Sequence, residues 1–425
     1  MPQHIPLEIQ AIIIDHFHND PETLRQCSLV SKSWAARAQK HLFNKIYFWG
    51  RPGLKLKLWE KTFPDPSNSP ACLTKLLSIE YRTATAKENV GFIGSFTNVT
   101  HLEVDVDDRS YKPGSNVLHN LLPAVTSLCL YFGTVELSQL FALVGSFPTI
   151  KDLVIEGPEI VNDGHDFLPS TLPEFTGTLV LSCRLGDITR PLLRLPPKSL
   201  SFRRIVWKID SPRDEDKVQH MENLIEKCSG TLEYIDFTGS MNGESHPFGS
   251  CHGFGDQRGF PLALDPPKTP LDLSKATELK GVAFRLIPAH MKWFTESLKT
   301  IPSEKKGLEQ LLICFVGRWD DPNLQEVGGE GNQQCKDFDN ALVRLLEPGG
   351  VRTGAVRCIL DEWEAERHMR ILFPEMVKRG KMEPVYLGLP SCAWPSVMEE
   401  RHVRLRRYNE FWEWSGKTVG DGRVF

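Results

Sequence analysis

Val99-Thr100-His101-Leu102-Glu103-Val104 is a phrase that most of the chain repeats. It returns as Val125-Thr126-Ser127-Leu128-Cys129-Leu130 and as Ile150-Lys151-Asp152-Leu153-Val154-Ile155, at intervals of 26 and then 25 residues. Weaker copies are Leu179-Val180-Leu181, Leu200-Ser201-Phe202, Leu232 to Phe237, Leu279 to Phe284 and Leu308 to Ile313. Apolar residues two apart predict a strand in each copy. Between copies the spacing turns helical, as in Leu137, Leu140, Phe141 and Val144, then Met221, Leu224, Ile225 and Cys228, then Met291, Phe294, Leu298 and Ile301.

A strand–turn–helix unit with this interval resembles the leucine-rich repeat, whose period is about 20–29 residues. One such unit cannot bury its own face, so several must stack. The expected architecture over 73–360 is therefore an irregular leucine-rich-repeat-like α/β solenoid, curved as a horseshoe. The Asn that usually follows the strand phrase is not regularly placed, which puts the consensus turn in doubt. A doubly wound α/β domain is the alternative that strand–helix alternation equally allows. In a horseshoe, the residues between the apolar positions would line an open concave sheet: Glu103, Asp105, Tyr131, Glu156, Arg203, Asp236 and Arg285 are the expected target-binding positions, with Cys129, Val154, Ser201, Thr238 and Ala283 among them. A Gly-rich insertion interrupts the rhythm at 239–274. Residues 361–425 read as a helical C-terminal cap and tail, ending in an Arg–aromatic run from Met398 to Trp414.

The first 48 residues differ in kind. Pro6 sits where a helix can begin, and Ile9, Ile13 and Phe17 follow at helical spacing, with Ile12 and Ile14 widening the stripe. Asp20 and Pro21 form an N-cap and first-turn pair, and Leu24, Cys27, Leu29 and Val30 follow. Ser31 caps a third helix bearing Trp34, Ala38 and Leu42, and Ile46 and Phe48 alternate as a short extended exit. The segment is more apolar than so short a unit can hide, which points to a partner protein.

Ile5-Pro6-Leu7-Glu8-Ile9, Ile13-Ile14, Leu24, Leu29-Val30-Ser31 and Trp34 together resemble an F-box, with Ile in place of the usual first Leu. Gln39-Lys40-His41-Leu42-Phe43 also resembles the end of F-boxes in fungal, basidiomycete-like proteins. The resemblance covers about a tenth of the chain. It implies a three-helix F-box at 1–48, joined by a loop-rich linker at 49–72 to the large domain. It further implies a Skp1-type adaptor, and through it a cullin, as partners. Carried onto this chain, the adaptor contacts would be Pro6, Leu7, Ile9, Ile13, Leu24, Leu29, Val30 and Trp34, some of which must also serve the module's own core.

Composition narrows the remaining classes. The 425 residues are 40% hydrophobic and 24% charged, with a net charge of −4, which argues against a general nucleic-acid binder. Ten cysteines are scattered without a CxxC pair, so reduced thiols in cytoplasm or nucleus are expected. The sequence holds no apolar run of the ~20 residues a membrane helix needs.

No GxSxG, HExxH, GxxxxGK[ST] or GxGxxG occurs. His246, Cys251 and His252 fit no standard zinc spacing, and Asp163-Gly164-His165-Asp166 reads as a polar turn. The expectation is a non-enzymatic, cofactor-free and metal-free substrate-recognition subunit of a Skp1–cullin–F-box ubiquitin ligase, holding an unidentified target protein near the ubiquitin-charged subunit. The alternatives are an enzyme on a doubly wound α/β domain with a helical N-terminal appendage, or a scaffold protein outside any ligase.

Overall fold

The computed structural model describes residues 5–48, 54–81, 89–106, 117–157, 159–161, 172–182, 185–196, 199–209, 215–239, 269–286, 290–302, 308–315, 330–346, 356–360, 370, 372–379 and 382–386. The chain divides into two compact units, Met1–Trp207 with Glu226–Leu232, and Lys208–Ile225 with Glu233–Phe425. The Gly-rich run 240–268, the turn 163–166 and the Arg–aromatic run 398–414 lie outside the described residues.

The first unit opens with α1 (Leu7–His16), α2 (Pro21–Cys27) and α3 (Lys32–Leu42). Capping sets their limits. The Asp20 carboxylate accepts from the amides of Glu22 and Thr23, each at 3.1 Å, with Pro21 in the first turn. The Ser31 hydroxyl accepts from Trp34 N at 3.3 Å. Then comes β1 (Lys45–Tyr47), followed by α4 (Leu54–Thr62) inside the stretch read as a linker. Phe43, Phe48, Trp59 and Phe96 meet edge-on or tilted at 5.6–6.1 Å between ring centres.

The sheet of this unit continues through β2 (Leu76–Glu80), β3 (His101–Val106), β4 (Ser127–Phe132), β6 (Asp152–Glu156), β8 (Thr178–Ser182) and β9 (Arg204–Ile209), every neighbouring pair parallel. A separate two-stranded sheet joins β5 (Thr134–Glu136) to β7 (Glu159–Val161). The repeated phrases fall in register. Leu77, Leu102, Leu128, Leu153, Leu179 and Ile205 stand side by side and are fully buried. Each such side chain contributes about 1.5–3 kcal/mol of burial.

The second unit repeats the parallel pattern in β10 (Tyr234–Gly239), β11 (Gly281–Leu286), β12 (Gln310–Phe315), β13 (Val356–Leu360) and β14 (Met382–Tyr386). Phe237 and Phe284 stack at 5.5 Å, and Phe294, from the helix Met291–Lys299, meets Phe284 at 4.8 Å.

The expected fold class is corrected. A horseshoe leaves the concave face of its sheet open. Here the second face is closed too: Ser78, Glu103, Cys129, Val154, Val180 and Val206 occupy matching rungs, and each is 4% exposed or less. A parallel sheet covered on both faces is an α/β arrangement of the doubly wound-like kind, not a leucine-rich-repeat solenoid. Nor is the N-terminus a separate three-helix F-box, because β1 follows α3 directly and pairs with β2 in the same sheet. The helical C-terminal cap is corrected as well, since β14 falls within 361–425 and pairs with β13.

Candidate docking surface

Three short helices can hide only a small core. Ile14, Leu24, Cys27 and Ala38 are buried, with Phe17, Trp34 and Leu42 packed against them. That uses one side of α1. The sequence Leu7-Glu8-Ile9-Gln10-Ala11-Ile12-Ile13-Ile14 is apolar nearly all round, and a helix of that kind is ordinarily covered on every side. In this chain Leu7 is 60% exposed, Ile9 46%, Ile12 65% and Ile13 36%. Ile5, just before the helix, is 48% exposed. In the turn before α3, Leu29 and Val30 are 80% and 63% exposed.

Of the eight expected adaptor contacts, Pro6, Leu7, Ile9, Ile13, Leu29 and Val30 lie at the surface. Leu24 does not: it shares a helix face with Cys27 and belongs to the core. Trp34 is half-buried against that core. Its indole N–H donates to Gln10 Oε1 at 2.6 Å. Ile12 is a surface apolar residue outside the motif pattern, and Ile5, the motif's first position, is a surface residue outside the expected contacts. The crowding of isoleucines in α1 was the available signal, because six apolar residues in ten cannot share one face.

Half-exposed polar contacts tie α1 to α3. Arg37 donates from Nε to Asp15 Oδ1 at 2.7 Å and from Nη2 to Oδ2. His41 Nε2 donates to the same carboxylate at 2.7 Å. The Arg37 guanidinium holds the Asp15 carboxyl far below the usual range; burial opposes this, and His41 adds to it. His18 Nδ1 donates to the Asp15 carbonyl at 3.0 Å, and Asn19 Nδ2 donates to His18 Nε2 at 2.7 Å.

The expected target-binding band fares differently. Glu103, Tyr131 and Asp236 are buried, and Asp105 and Glu156 are half-buried. Glu80, Asp105, Tyr131 and Glu156 share one rung across neighbouring strands. Ser201 and Arg203 precede β9 and so lie off the ladder, and Arg203 is exposed. Arg285 belongs to β11, opposite Thr238 and Cys314. In the first unit, Glu103 and Tyr131 therefore do not lie on an open face. Burial, with the Glu103 charge beside it, pushes the Cys129 thiol well up, which removes its nucleophilic form.

A cleft of about 350 Å³ in the second unit is lined by Lys299, Asp337, Asn340, Ala341 and Arg344. It lies against helices, not at strand ends. Arg344 Nη2 there donates to the carbonyls of Leu298 at 3.0 Å and Ile301 at 3.1 Å, closing the end of the helix Met291–Lys299. Among the described residues no group of three His, Cys, Asp or Glu could hold a metal ion, and no helix is long and apolar enough to cross a membrane.

A scan against protein-family models finds no match for this sequence. A search of curated proteins finds no match either.

Proposed function

We propose that the N-terminal helices are a docking element for a Skp1-type adaptor, and that the chain serves as a substrate-recognition subunit of a cullin-based ubiquitin ligase. The adaptor follows from the F-box resemblance of the segment Ile5–Trp34. The observation that carries the reading is the exposed apolar side of α1, from Leu7 to Ile13, in a helix whose other side already fills the module's core. Covering seven apolar side chains of this size contributes on the order of 10 kcal/mol gross. That compares with an association cost of about 4–15 kcal/mol. The rest of the molecule would hold the target, and the transfer chemistry would belong to other subunits.

Co-expression with a Skp1-type adaptor tests this. The wild-type chain should co-purify with the adaptor, and the double variant Pro6→Ala/Leu7→Asp should not. Equal recovery of both forms, or of neither, contradicts the assignment.

A second reading, an enzyme on a parallel α/β sheet with a helical appendage, draws on the covering of both sheet faces. Ligands of such sheets sit beyond the carboxyl ends of the strands. In the first unit Glu80, Asp105 and Glu156 occupy those ends. Saturation of a small-molecule site there would shift the thermal midpoint of wild type and not of Asp105→Ala/Glu156→Ala. A metabolite screen by thermal shift with no such hit sets this reading aside.

A further inference from the structure

Gln10 is the one polar residue in the middle of α1 that reaches in two directions. Its Oε1 accepts the Trp34 indole N–H at 2.6 Å, and its Nε2 donates to the carbonyl of Ile5 at 2.7 Å. That carbonyl precedes the helix, whose own ladder starts one residue later with Gln10 N donating to Pro6 O at 3.1 Å. Pro6, the residue at the helix entrance, makes no side-chain cap. The Gln10 amide thus links the approach segment, the first turns of α1 and α3 through a single side chain.

We infer that Gln10 is a positioning residue, which holds Ile5 and the first turns of α1 in the docking conformation before a partner arrives. The inference rests on the docking role proposed above. A segment ordered in advance loses less freedom on association, so the bridge acts on affinity without touching the partner. Trp34 then has an assigned role: its ring packs on the core, and its N–H anchors the Gln10 bridge.

The test combines two readings. Hydrogen exchange on the free, full-length chain should be about tenfold faster at the residue-10 amide, which donates to Pro6 O, in Gln10→Ala than in wild type, with Ile14 unchanged. The adaptor dissociation constant should rise about five- to tenfold in Gln10→Ala and in Trp34→Phe, a loss of the size expected for one hydrogen bond. The double variant should be no worse than either single one, because both remove the same bridge. Gln10→Glu keeps an acceptor for Trp34 and loses the donor to Ile5, and should fall between wild type and Gln10→Ala. Affinities within twofold of wild type, or single effects that multiply in the double variant, overturn the positioning role. A wild-type chain that binds no adaptor removes the docking reading itself, and with it this role.

Discussion

Ile13 and Ile14 are neighbours of one chemical type with opposite fates. Ile14 is sealed in the small core with Leu24, Cys27 and Ala38, and Ile13 faces outward. Ile14→Ala should therefore cost about 2–5 kcal/mol in a urea titration. Leu7→Asp should stay within about 0.5 kcal/mol of wild type while removing the proposed docking. The motif pattern leaves Leu24 both an adaptor contact and a core residue, because pattern order records spacing, not which side of α2 meets α3. Asp15, Arg37 and His41 were illegible for a related reason: their contact joins residues 22 and 26 apart, across two helices. The Asp15 carboxyl is held below its ordinary value of about 4. Its ionised form is thus favoured by folding. The stabilisation is complete above that ordinary value and is lost as the pH falls through the depressed one. Acid unfolding of wild type should show an added loss below about pH 4, and Asp15→Asn should lack it.

Elements were more legible than contacts. The phrases starting at Val99, Val125 and Ile150 each contain most of a strand, and the helical spacing around Leu137, Met221 and Met291 marks the helices Leu137–Gly145, Glu215–Lys227 and Met291–Lys299. The phrase Leu200-Ser201-Phe202 misled by a few residues, because its apolar pair fills the approach to β9 and not the strand. Leu76–Glu80, Val356–Leu360 and Met382–Tyr386 escaped notice, since none falls on a quoted copy of the phrase. The short helix Pro374–Lys378 depends on a remote cap. The Asp339 carboxylate accepts from the amides of Glu375 at 2.8 Å and Met376 at 3.1 Å. Burial raises the Asp339 carboxyl, and these two amides pull it back. Asp339→Ala should loosen this helix by about 1 kcal/mol, read as faster exchange at residues 374–378 with the first unit unaffected.

At the scale of the whole molecule, the sequence pattern announced strand–helix alternation but not what covers the sheet. Glu103 and Cys129 read as lining an open face, yet both are buried. Periodicity records which residues share a face; it does not record whether a second layer arrives on that face. Burial also governs thiol reactivity. Among the described cysteines, Cys72 is exposed, and Cys27, Cys129, Cys228 and Cys335 are buried. Burial pushes the Cys228 and Cys335 thiols up to about 12. Mass-spectrometric mapping after brief alkylation of the native chain should find Cys72 modified and these four protected until unfolding.

Hydrogen–deuterium exchange of the full chain, with and without a Skp1-type adaptor, bears most directly on the docking surface. Binding should slow exchange in peptides covering residues 5–13 and 28–34 and leave β3 and β4 unchanged. Protection that falls elsewhere, or exchange at α1 that does not respond to adaptor, would contradict the account.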